Sequence, residues 1–105
     1  MTKREMLQLA ALAAGIELEW REGSQCFYYD DSETGREIWM PDMCERQAFI
    51  LADCLWLIVD HKNNRAIEAD RFYKGHRDWT DSENAQEAIT KCAAEIGRGL
   101  KERKG

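Results

Sequence analysis

The sequence lacks the closely spaced cysteine pair on which zinc sites and redox dithiols depend: its four cysteines stand at 26, 44, 54 and 92. No metal site and no cofactor are therefore expected. Cys44, Cys54 and Cys92 fall within helical patterns, and the last two are flanked by alanine or leucine, so they read as buried, reduced thiols. Also missing is any run approaching the ~20 apolar residues of a membrane span, or a basic start followed by a long apolar core. These absences point to a protein of the cytoplasm, with no membrane partner. Histidine is scarce, with only His61 and His76. No motif sets either beside a nucleophile and an orienting carboxylate. Cys26 is the cysteine outside the helical patterns, yet its distance in sequence from His61 carries no signal. Glu17 and Glu19 share a strand face in the manner of a glycosidase pair, but alternation on an exposed strand accounts for them without chemistry. The expectation is a protein that is not an enzyme.

What is present suffices for a core. A chain of 105 residues with 44% apolar content fits one domain, 1–105, that needs no disulfide or metal to fold. No repeat, low-complexity stretch or linker divides it. The net charge is −5, and its distribution says more than the sum. From Gly15 to Asp60 eleven acids face three bases, whereas from His61 to Trp79 five bases face three acids. Such a surface repels nucleic acid over one region and accepts anions at another.

Three helices carry the same start pattern, a side-chain oxygen followed three residues later by glutamate: Thr2 with Glu5, Asp42 with Glu45, Thr80 with Glu83. Apolar residues then recur at intervals of three and four, as in Ala48, Leu51, Ala52 and Leu55. The first helix should stop at Gly15, and the third should fray near Gly97 and Gly99. Between the first two lie three strands, at 16–20, 26–29 and 36–40, the last two joined by a turn-forming loop at 30–35. A hairpin about Asn63-Asn64 should join strands at 57–61 and 65–70. The order is αβββαββα. The expected architecture is α+β, an antiparallel sheet of about five strands with three helices, built as a three-layer alpha-beta-alpha sandwich.

Ala13-Ala14-Gly15 closing the first helix, Trp39 and Pro41 ahead of the central helix, and the alanine-rich helix from Ala88 to Gly97 resemble the phage alpha-beta-alpha sandwich domain family. Two features depart from its pattern: Met40 stands where asparagine is common, and Asp42-Met43-Cys44-Glu45 replaces an acidic, glycine-containing helix entry. The resemblance implies a phage or prophage accessory protein working in the host cell cytoplasm, and a family without a general assigned activity.

Two surfaces stand out as partner sites. Arg71, Tyr73, Lys74, His76, Arg77 and Trp79 mix cations with aromatics around Gly75, the composition of a contact surface. Aromatic faces can stack on a nucleotide ring and the cations can pair its phosphates, yet Trp, Tyr and Arg are also the usual anchors of protein interfaces. The bland account keeps Phe72 and Trp79 as core anchors and the cations solvated. Glu33, Glu37 and Glu45 form the second surface, an acidic face able to imitate nucleic acid. Nucleic acid itself is an unfavourable partner, because neutralised phosphates supply most nonspecific affinity and the chain is acidic. The leading expectation is a non-enzymatic protein that binds a host or phage protein, in its sharpest form an inhibitor of bacterial antiviral defence. The alternative is a small-ligand or nucleotide binder using Arg71 to Trp79. Trp20 and Trp56 are expected in the core, and Trp39 is left open between core and a face for partners or self-association.

Overall fold

The computed structural model describes residues 2–104. It contains four helices and six short strands: α1 (Lys3–Ala14), β1 (Glu19–Arg21), β2 (Cys26–Asp31), β3 (Gly35–Ile38), α2 (Glu45–Leu55), β4 (Leu57–Asp60), β5 (Arg65–Glu68), α3 (Ala69–Tyr73), β6 (Thr80–Asp81) and α4 (Ala85–Lys104). The α+β class holds, but a single five-stranded sheet with three helices does not. Two antiparallel sheets form instead, in the orders β1-β2-β3 and β4-β5-β6.

Local chemistry explains most element ends. Thr2 accepts a hydrogen bond from the Glu5 amide at 3.1 Å, and Gly15 closes α1 in the left-handed conformation at φ 71°. Asp31 accepts from the amides of Glu33 and Thr34 at 2.8 and 3.1 Å, which turns β2 into β3. The hairpin of β4 and β5 turns on Asn64 at φ 51°, while Asp60 accepts from the amides of Lys62 and Asn63. Two expected caps are displaced. Asp42 lies in the turn before α2, where it faces Lys3 at 3.4 Å, and Cys44 holds the cap position without a side-chain bond. Thr80 is a strand residue opposite Ala66, and Asn84 caps α4 by accepting from the Glu87 amide at 2.8 Å.

The core gathers on α4. Ile89, Cys92 and Ala93 of that helix meet Leu7, Ala10 and Ala11 of α1, Ala48 and Leu51 of α2, Ala66 of β5, and Phe27 and Tyr29 of β2. One apolar interior thus joins both sheets; β2 buries Phe27 and Tyr29 with the period of two, whereas β5 buries the consecutive Ala66 and Ile67. Trp39 belongs to it, with 1% of its surface exposed. Its indole Nε1 donates to the Leu7 carbonyl at 3.0 Å, and its ring meets Tyr29 edge to face at 5.1 Å. Gln47, also buried, braces the chain beside it by donating to the Ile38 carbonyl at 2.7 Å and accepting from the Met40 amide at 2.6 Å. Pro41 is sealed in the same place.

Helix α4 continues past both glycines that were expected to fray it. Gly97 is buried, and a Cβ there would fall 1.9 Å from the Leu9 carbonyl oxygen of α1. The glycine lets two backbones approach where any side chain would hold them apart. Two further expectations are corrected at the surface. Cys54 is exposed rather than buried, and Trp56 is 78% exposed rather than in the core. Leu55 is half-buried, packed against the core from its edge, while Leu51 fills the interior.

Candidate interaction surfaces

Trp56 follows the last residue of α2 and adopts φ 54°, ψ 57°. Helices commonly end on such a left-handed residue, because its amide can then satisfy the last carbonyls; here the Trp56 N–H serves those of Ala52 and Asp53. Glycine or asparagine is the usual occupant. A bulky side chain pays ~1–2 kcal/mol there, since its Cβ crowds the following carbonyl. The Trp56 carbonyl accepts from the Ala69 amide at 2.8 Å, which ties the end of α2 to the start of α3. Tyr73, 80% exposed, lies four residues beyond Ala69, on the same side of α3. Phe49 stands two turns earlier on α2, also exposed, with its ring 6.2 Å from that of His61. Trp56 and Tyr73 are thus exposed aromatics on segments joined through the Trp56–Ala69 bond, whereas Phe49 lies beside His61 at the other end of β4.

The loop after α3 follows Tyr73 directly and holds the expected cationic residues. Arg71 pairs with Asp78, which holds the Asp78 carboxyl below its usual range. Lys74 pairs with Asp70 at 3.0 Å, one helical turn away. Arg77 donates to the carbonyls of Phe72 and His76 at 3.2 and 2.9 Å, and its guanidinium lies 4.7 Å over the Phe72 ring. Trp79 is half-buried, with its ring 5.8 Å from that of Phe72 and the Arg65 guanidinium 4.3 Å above it. His76 is exposed, and its amide donates to the Arg71 carbonyl. Phe72 and Trp79 are half-buried and pack edge to face on each other outside the core cluster, and Arg71, Lys74 and Arg77 are each paired within the chain rather than left solvated.

The acidic face is built around two arginines. Arg46 pairs with Asp31 at 3.0 Å and with Glu37, while Arg36 pairs with Asp30 at 3.0 Å and with Glu19. The Tyr29 hydroxyl donates to Glu37 at 3.1 Å, and Asp31 lies 3.4 Å away. Burial, reinforced by Glu37, pushes the Tyr29 hydroxyl up to about 12. The Asp31 carboxyl is held well below its ordinary value by the Glu33 amide and then by Arg46. Glu33 and Glu45 are exposed and have no ion pair among the described residues, whereas Glu37 is half-buried and committed to Arg46. Glu33 and Glu37 flank one hairpin, and Glu45 begins the helix that carries Arg46.

Chemistry-bearing groups do not converge elsewhere: among the described residues no cluster of three His, Cys, Asp or Glu side chains could hold a metal ion. Nor is any described helix long and apolar enough to cross a membrane. Sequence reasoning missed Trp56 as a surface residue. The available signal was its place at the helix end directly before a new strand, where a residue in the left-handed region points away from the helix's packed side. Set against family models, curated proteins and solved structures, the chain matches none.

Proposed function

We propose that this protein is a non-enzymatic binding module that docks a protein partner on the aromatic surface of Trp56 and Tyr73, with the Arg71–Trp79 loop as its rim. The carrying observation is Trp56. It occupies a backbone conformation that favours glycine, and it leaves most of its indole in water. Neither backbone preference nor packing accounts for tryptophan there, while a desolvated aromatic anchor at an interface does. The excess of carboxylates around Arg36 and Arg46 would steer a basic partner, acting on the rate of association more than on the final affinity. A phage or prophage role, including inhibition of a bacterial defence protein, draws its support from the resemblance at Ala13-Ala14-Gly15, Trp39 and Pro41. The nucleotide-binding alternative has less support, because Arg71, Lys74 and Arg77 would each have to leave a present partner.

The test is capture from infected bacterial lysate by the tagged protein, with nucleotide extraction from the same eluate. A protein retained by the wild type should be lost with Trp56→Gly and Tyr73→Ala. The Glu33→Lys, Glu37→Lys, Glu45→Lys triple variant should retain it, with slower binding. Loss by the triple variant alone would move the interface to the acidic face. A co-purified nucleotide lost with Arg71→Ala and Arg77→Ala would replace the proposal by its alternative.

A further inference from the structure

A cleft of about 300 Å³ opens between the first turn of α1 and the β1-β2-β3 sheet, remote in sequence from Trp56 and Tyr73. That volume is at the lower end of small-ligand sites, roughly 300–1,000 Å³. Its walls are the side chains of Leu7, Trp20, Phe27, Ile38, Trp39 and Met40. Gln25 and Cys26 complete the lining, and the donors of the walls are already used: Gln25 Nε2 donates to Glu22 and Cys26 Sγ to the Ser24 carbonyl. The Trp39 indole N–H is bonded to Leu7, and the Trp20 indole N–H donates to Glu22 at 3.0 Å. With its donors taken, the interior favours an apolar body.

The rim carries two cations of different status. Lys3 is paired with Asp42 at 3.4 Å. Arg4 has no ion pair or hydrogen bond among the described residues, and its guanidinium lies 3.8 Å over the Trp20 ring. Trp20 is itself held in place, by Glu22 on its N–H and by the Phe27 ring at 4.8 Å. Glu22 is engaged on its other oxygen by Gln25 at 2.9 Å, so it does not claim Arg4. Stacking fixes the plane of the guanidinium while leaving its N–H edge free, the arrangement in which arginine grips a planar carboxylate with two bonds.

We propose that this cleft binds a small amphipathic carboxylate, of which a medium-chain fatty acid is the simplest form, with the tail along Trp20, Ile38 and Met40 over the buried floor of Trp39 and the headgroup on Arg4. One free guanidinium matches one carboxylate. A polyanion would find a single free cation at the cleft and a net charge of −5 around it. This site is separate from the proposed protein-docking surface, and either can fail without the other.

The test is titration of the protein with sodium octanoate, read on the four tryptophan indole N–H signals in two-dimensional NMR. Trp20 and Trp39 line the cleft, while Trp56 and Trp79 lie outside it and serve as internal references. The expected result is a saturable shift confined to Trp20 and Trp39. Arg4→Gln, at an exposed position that should leave the fold intact, should weaken binding by about tenfold, the scale of one charge-assisted bond. Octanol should bind the wild type no better than octanoate binds Arg4→Gln. Absence of a saturable shift would overturn the proposal. So would equal shifts at all four indoles, equal binding of octanol, or indifference to Arg4→Gln, each of which marks greasy adsorption rather than a carboxylate site.

Discussion

At the scale of single residues, burial separates side chains that look equivalent in a pattern. Leu51 and Leu55 occupy the same helical stripe, yet Leu51 is fully enclosed and Leu55 lies at the core's edge. Leu51→Ala should cost about 2–5 kcal/mol in urea unfolding, and Leu55→Ala clearly less. Equal losses would show that the core extends further along α2 than described. The cysteines divide in the same way. Burial pushes the Cys92 thiol up to about 11, whereas Cys54 is exposed. Since the thiolate is the reacting species, a disulfide reagent at about pH 8 should modify Cys54 early and Cys92 only on unfolding. Rapid modification of all four in the native protein would contradict this.

At the scale of elements, α1 and α4 approach closely where Gly97 faces Leu9. Replacing a helical glycine by alanine ordinarily stabilises by about 1 kcal/mol. Here the new Cβ would strike the Leu9 carbonyl, part of a backbone that cannot step aside. Gly97→Ala should therefore destabilise, by roughly 1–3 kcal/mol, while Gly99→Ala, which meets nothing, should not. A stabilised Gly97→Ala would mean the helices are further apart. The contrast shows what the sequence could and could not disclose. The cap at Thr2, the stop at Gly15 and the Asn63-Asn64 hairpin are written in neighbouring residues, and were legible for that reason. The start of α4 was misread because Thr80 has capping chemistry in sequence but pairs with Ala66 across a sheet. Within each sheet every strand pairs with its neighbour in sequence, and the division into two sheets follows from β3 and β4, separated by α2, not pairing, which no local pattern encodes. The same limit applied to the candidate surfaces. The basic loop and acidic hairpin were visible as composition, but that their charges are mostly spent on each other required the fold, as did the outward position of Trp56.

At the scale of the whole molecule, carboxylates held by internal partners make stability depend on pH. Asp60, fixed by the Asn63 side chain and by Arg65, titrates at about 2 in the fold, against an unfolded value near 3.9. Because the native form binds its proton less tightly, its contribution is complete above about pH 4 and fades as pH falls towards 2. Melting temperature should fall through that window, and less steeply in Asp60→Asn. An identical slope in the variant would remove Asp60 as a cause. One continuous core joins both sheets through α4, and at Trp56 only the backbone serves the fold while the indole lies outside the core, which is the claim on which the functional reading stands. Trp56→Gly relieves ~1–2 kcal/mol of left-handed strain and adds ~0.5–1 kcal/mol of unfolded-chain entropy. The most direct measurement is the urea unfolding free energy of Trp56→Gly beside the wild type. A value equal to the wild type or up to about 1 kcal/mol higher is predicted, whereas a loss of more than about 1 kcal/mol would show that the indole is held by the fold itself and would contradict its role as an anchor for a partner.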